Sequence, residues 1–144
     1  MAEQLEVSAT LTNHKVRFTG VSKSNPDRPI TFDFRPPLGD GHGFAGLELF
    51  LLSLAGCSAT SVVYLLRKMG KTVSAFTVNA TGRKRDRLPM RFERIDLEFH
   101  LTSPDAADAD LAEAIRQSED SVCPVWALVK GNVDIATHRR INQS

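Results

Sequence analysis

The chain has 144 residues, the size of one domain, so we expect no separate catalytic domain. Its 42% hydrophobic and 24% charged residues are typical of a globular protein with a packed core. Eighteen basic and seventeen acidic residues leave a net charge of +1, so no overall field attracts nucleic acid or an anionic membrane. We therefore expect neither of these partners.

The first 35 residues alternate apolar and polar side chains in three stretches, at residues 5–11, 16–18 and 30–34. This alternation predicts three antiparallel strands. Turn residues at 12–15 and 24–29 separate them, and the prolines and glycines of 36–43 end the sheet. The opening residues lack a basic leader followed by an apolar stretch, which predicts a cytoplasmic protein.

Residues 46–69 are almost wholly apolar or small. The stretch is long enough to cross a membrane, but Glu48 near one end and the Ser, Gly and Thr content of its middle favour a helix buried on most sides inside protein. Arg67, Lys68 and the stop residue Gly70 end this helix.

The second half predicts strands at 73–81 and 95–102, joined by a basic hairpin at 82–89. An amphipathic helix follows, from 104–105 to about 119. The chain then has a short helical turn after Cys123-Pro124 and a last strand at 132–136. Strands and helices fall in blocks, which indicates an α+β protein, and no linker divides residues 1–144 into more than one domain.

The basic run at 83–87 has the composition of a phosphate-binding patch. A charged hairpin tip is usually only solvated, however, and that interpretation is the one we favour from the sequence.

Cys57 and Cys123 are the only cysteines of the chain. In a reducing compartment such a pair serves more often in redox chemistry, metal binding or the core than as a permanent disulfide. Cys57 lies too far inside its helix to gain from the helix dipole, although Ser53 and Ser61 on the same face could donate hydrogen bonds to its thiolate. Cys123 precedes Pro124 at a predicted N-cap, so the dipole alone makes it the more acidic thiol.

Two alternatives remain from the residues alone. A cysteine in an Ala/Leu/Gly helix is ordinarily a small core residue. A zinc site would need clustered ligands, but there is no Cys-x-x-Cys and the four histidines are scattered singly, so we expect no metal.

The segments LELFLLSLAGCSATSVVYLLRKMG and SVCPVWALVKGNVDI, read together, resemble the two cysteine motifs of the OsmC/Ohr family. The resemblance covers essentially the whole chain. It implies an OsmC-like fold, with antiparallel sheets around a long buried central helix, and an intertwined homodimer with active sites at the subunit interface.

The resemblance also implies a cofactor-free peroxidase that reduces organic hydroperoxides in oxidative-stress defence. Cys57 matches the peroxidatic cysteine, which becomes a sulfenic acid, and Cys123 matches the resolving cysteine, which forms a disulfide with it. An external dithiol, for example one of the lipoyl type, then reduces the disulfide. These roles are the opposite of what the helix dipole predicts, since the dipole makes Cys123 the more acidic thiol. We prefer the roles that the resemblance implies, because a partner subunit can supply a cation to Cys57.

Two positions depart from the family's hydroperoxide reductases. Their glutamate, ten residues before the first cysteine, is Leu47 here, and Glu48 falls on roughly the opposite helix face. Their arginine in the first hairpin turn is absent from residues 12–15, with Arg17 just beyond. Glu48 and Arg17 are therefore only candidates, and the sequence looks closer to the less characterised OsmC-like branch. The alternative function is a non-catalytic dimer that binds a small hydrophobic molecule or senses oxidation.

Overall fold

The computed structural model describes residues 3–144. It divides into two compact units, Met1–Phe50 and Leu51–Ser144. The prediction of α+β architecture is confirmed, because each unit carries one three-stranded sheet and the helices follow in separate blocks.

The first unit is an antiparallel sheet with strand order β1-β2-β3. Its strands are β1 (Val7–Leu11), β2 (Phe18–Ser22) and β3 (Asn25–Phe32). The predicted break at 24–29 is wrong, since most of it belongs to β3. An edge strand tolerates Pro26 and Pro29 because its outer N–H groups need no partner, and the pairing of β2 with β3 is irregular between Gly20 and Ser22.

Helix α1 (Gly46–Lys68) runs from the end of the first unit into the second. Gly70 follows two residues after its end, and its φ of +80° is the left-handed conformation that glycine adopts without strain. By length and composition it could cross a membrane, although part of its apolar stretch is buried inside the protein. The expected burial on most sides is not reached: Leu54, Val62 and Leu66 are buried, but other large side chains are exposed.

The second unit contains the strands β4 (Ala75–Lys84), β5 (Phe92–Thr102) and β6 (Asp134–Asn142), in the order β4-β5-β6. β4 and β5 pair antiparallel, whereas β5 and β6 pair parallel. The expectation of purely antiparallel sheets is therefore wrong for this pair. The segment between β5 and β6 includes α2 and is long enough for the crossover that a parallel pair requires.

Helix α2 (Asp108–Gln117) begins later than the predicted 104–105. Asp105 lies in the preceding loop, where it accepts hydrogen bonds from the Thr72 backbone and hydroxyl, while the Asp110 carboxylate accepts from the Ala107 N–H at 2.8 Å. A π-helical turn (Ser118–Val122) and the short helix α3 (Pro124–Val129) follow.

The core of the second unit is built around β5, which buries every second side chain. The fully buried large residues there include Ile95, Leu97, Phe99, Leu101 and Leu111. In the segment between α2 and β6, Cys123, Trp126 and Val129 are buried as well.

Candidate active site

The two thiols lie side by side in the second unit. Helix α1 carries Cys57, which is half-buried, and the start of α3 carries Cys123, which is 2% exposed. Both cysteines are free, and the Cys57 thiol is hydrogen-bonded to Cys123. The structure thus brings together the two residues that the sequence motifs single out.

A backbone amide completes the environment of Cys57: the N–H of Val125 donates a hydrogen bond to its sulfur. Burial, and then the hydrogen bond with Cys123, raise the pKa of the Cys57 thiol above its ordinary value, while the Val125 N–H acts in the opposite direction. The neutral thiol is therefore favoured in the resting protein, and Val125 is the group that stabilises the thiolate when it forms.

Val125 is the functional group that the sequence analysis missed. Pro124 occupies the first helical position and has no N–H, so Val125 carries the first free amide of α3. The Cys-Pro motif indicates free amides at this helix end, and the sequence alone associates them with Cys123 rather than with Cys57. Cys123 is the N-cap residue as predicted, yet its side chain makes no capping hydrogen bond. The Val125 N–H donates instead to the sulfur of Cys57.

The π-helical turn and a surface ion-pair cluster position Cys123. Its N–H donates to the Ser118 carbonyl at 3.0 Å, the spacing of a π turn, which is a rare element often found at functional sites. Beyond α3, the Lys130 ammonium lies 3.0 Å from Asp120 and 3.2 Å from Glu119. These contacts join the two ends of the segment around Cys123.

The serine hydroxyls proposed as donors to the Cys57 thiolate do not play that role. The Ser61 hydroxyl donates to the Cys57 carbonyl oxygen at 3.0 Å, one turn back along the helix. Ser53 is exposed, and its hydroxyl makes no hydrogen bond to any residue in the described range 3–144. Ser61 donates to this carbonyl rather than to the sulfur because a hydroxyl in a helix interior reaches the carbonyl four residues before it.

Arg17 belongs to an ionic cluster in the first unit. Its guanidinium lies 3.4 Å from the Asp33 carboxylate and 3.3 Å from that of Asp40, and Lys15 lies 2.8 Å from Asp40. Arg17 also closes the first hairpin, because the Thr12 N–H donates to its carbonyl at 2.8 Å. Arg17 is thus part of the first hairpin turn, although the sequence predicts that turn only at residues 12–15.

Asp33 organises this cluster and is itself buried. Burial disfavours its charge, but hydrogen bonds from the His42 and Phe34 backbones and from Arg17 outweigh that cost and hold the pKa of the Asp33 carboxyl below its usual range. The Asp33 carboxylate is therefore ionised at neutral pH beside the Arg17 guanidinium.

Glu48 has a local structural partner in the first turn of α1. Its carboxylate accepts a hydrogen bond from the Ala45 N–H at 2.9 Å, which satisfies an amide before the helix. Its catalytic role stays a prediction.

Residues 39–138 match the family model of the OsmC-like proteins, which is more than half of the chain. The chain belongs to the OsmC-like family. Protein YhfA of Escherichia coli strain K12 is 35% identical over 92 residues, which cover 64% of this chain and 68% of that protein.

Solved structures share the OsmC-like fold of the chain. The OsmC-like protein from Mycoplasma pneumoniae matches with a TM-score of 0.83 and 22% identity over 99% of both chains. An organic hydroperoxide resistance protein from Elizabethkingia anophelis matches with a TM-score of 0.72 and 15% identity, again over 99% of both chains. The fold thus occurs both in OsmC-like proteins and in proteins named for organic hydroperoxide resistance.

Proposed function

We propose that this OsmC-like protein is a thiol-dependent peroxidase that reduces organic hydroperoxides. The observation that carries the proposal is the contact of Cys57 with both the Cys123 thiol and the Val125 N–H. A nucleophilic sulfur, a second thiol to complete a disulfide and a donor for the thiolate are the groups that such chemistry requires. The name of the Elizabethkingia protein points to the same class of substrate.

The reaction has three balanced steps. The Cys57 thiolate attacks the outer peroxide oxygen, the O–O bond breaks, and the substrate leaves as an alcohol after taking up a proton, while Cys57 becomes a sulfenic acid. The Cys123 thiol then attacks the Cys57 sulfur, forming the disulfide and releasing water. An external dithiol reduces the disulfide to two thiols and is itself oxidised to a disulfide, so no bound cofactor is needed.

We also propose that the protein acts as a homodimer. The strand pairing places Leu11, Phe18 and Phe32 on one face of the first sheet, and further apolar residues of that sheet and of α1 remain exposed. These are Val7 at 82%, Ile30 at 50%, Leu52 at 51% and Tyr64 at 57% exposure. Exposed apolar side chains of this kind, on a sheet face and on a helix, are typical of interfaces. Sedimentation at micromolar concentration should give twice the chain mass of 15.9 kDa, and a clean monomer would contradict the dimer.

Catalytic turnover under excess dithiol tests the enzyme proposal. With cumene hydroperoxide as substrate and a dihydrolipoyl compound as reductant, we expect many equivalents of peroxide to be consumed per protein chain. A non-catalytic ligand-binding or oxidation-sensing dimer would react once or not at all. A reducing, cytoplasmic setting belongs to the proposal, because such a compartment keeps thiols free.

A further inference from the structure

The hairpin between β4 and β5 carries a concentrated positive charge, which the thiol chemistry does not use. Residues 83–91, here called the basic tip, contain five cationic side chains and one carboxylate, a local excess of four positive charges. The whole chain has a net charge of only +1, so the remainder is net acidic. The charge is therefore strongly uneven along the chain.

The tip is closed by contacts that leave its charges unneutralised. The Arg85 N–H donates to the Arg91 carbonyl at 3.0 Å, and the Arg85 guanidinium donates to the Pro89 carbonyl at 2.7 Å. The Arg91 guanidinium donates to the Asn132 carbonyl in the same unit. Carbonyl oxygens carry no net charge, so both arginines remain full cations while they hold the turn.

The other cations of the tip are exposed. The Arg83 side chain is 67% exposed and lies 3.6 Å from Glu93, too far for a strong pair. Lys84 and Arg87 are exposed and form no ion pair within the described residues 3–144. Arg83, Lys84 and Arg87 are thus available to an anionic surface, and the half-buried Arg85 and Arg91 add their positive charge beside them.

Two large apolar side chains project from the same loop. Leu88 is 84% exposed, the highest value among the large hydrophobic residues that the structure describes, and Met90 is 48% exposed. Aliphatic side chains among cations are the composition of segments that lie in a membrane interface. Proteins that bind single-stranded nucleic acid combine cations with exposed aromatic rings instead, and the nearest ring, that of Phe92, is buried.

We propose that the basic tip docks on the surface of an anionic phospholipid bilayer, with its cations at the headgroups and Leu88 inserted among the acyl chains. This proposal differs from the expectation, drawn from the net charge, that the protein has no membrane partner. Headgroup attraction falls off within a Debye length of about 10 Å, so it depends on local rather than overall charge. The surface is independent of the cysteines, and its test needs no peroxidase activity.

Co-sedimentation of the full chain with vesicles tests the proposal. We expect binding to phosphatidylcholine vesicles that contain phosphatidylserine, little binding to pure phosphatidylcholine, and loss of binding at high salt. Each cation near such a surface increases partitioning about fivefold, so K84E/R87E should weaken binding by at least about 25-fold. Leu88→Ser, which keeps every charge, should weaken it by roughly tenfold.

R28E/R140E is the matched control, since it reverses two exposed cations outside the tip and should change binding less than about twofold. Circular dichroism of each variant must match the parent chain, so that misfolding is not read as lost binding. Equal loss of binding in both double variants, or binding that does not depend on phosphatidylserine, would overturn the proposal. So would tighter binding to an oligonucleotide that Leu88→Ser leaves unchanged.

Discussion

Cys57→Ser is expected to abolish hydroperoxide turnover, with a loss of at least about a thousandfold. A serine hydroxyl does not ionise at accessible pH, and its oxygen cannot cycle between reduced and sulfenic states, so no other step compensates. The measurement is consumption of cumene hydroperoxide under excess dihydrolipoyl reductant.

Cys123→Ser is the matched variant, because it removes the second thiol and leaves the first intact. We expect one rapid oxidation per chain, followed by a stall as a sulfenic or over-oxidised acid on Cys57, which mass spectrometry detects as added oxygen. Oxygen found on Cys123 of the parent chain, with Cys57 still reduced, would reverse the two roles and favour the dipole argument.

The pH dependence of Cys57 follows from its surroundings. Since burial and then Cys123 raise the pKa of Cys57, its reaction with a neutral alkylating agent should keep rising through about pH 8.5, by about tenfold per unit, without a plateau. Cys123→Ala removes the sulfur that accepts the Cys57 S–H, so the profile should shift to lower pH. A shift to higher pH would show that the Cys57–Cys123 hydrogen bond has been assigned in the wrong direction.

Organic hydroperoxides are expected to react with at least about tenfold higher kcat/KM than hydrogen peroxide. The sequence predicts an apolar wall near the cysteines, with Phe50, Leu54, Tyr64, Val125 and Trp126 as its candidates. In the structure Leu54 and Trp126 are buried and Val125 is half-buried, while Tyr64 is 57% exposed. Each buried methylene of a substrate contributes about 0.8 kcal/mol of binding free energy. Four or five methylenes therefore favour an organic hydroperoxide over hydrogen peroxide by roughly 3–4 kcal/mol, before strain and imperfect burial reduce the gain.

The variant Val125→Thr tests whether the apolar wall causes this substrate preference. The change keeps the side-chain shape and the N–H to Cys57 but places a hydroxyl on the wall, so the preference should fall while the reaction with hydrogen peroxide stays nearly unchanged. Val78→Thr, at a half-buried position on β4, is the control and should leave the preference unaltered. Equal kcat/KM for both peroxides in the parent chain would show that these apolar residues serve only the core.

The sequence was sufficient for features that depend on neighbouring residues. Alternation predicted three strands in the first unit, the apolar run predicted α1 closely, and Cys123-Pro124 predicted the start of α3. The paired cysteine motifs indicated the family that the comparison confirms. Each of these signals lies within a window of a few turns or strands, where side-chain periodicity and capping act directly.

Tertiary structure alone decided which groups meet. The parallel pairing of β6, the ion pairs of Arg17 with Asp33 and Asp40, and the contact of the Val125 amide with Cys57 all join residues far apart in sequence. No periodicity encodes such pairs, because they depend on how packed elements align. The net charge likewise averages over the chain, whereas the field at a surface depends on where the folded chain places each charge.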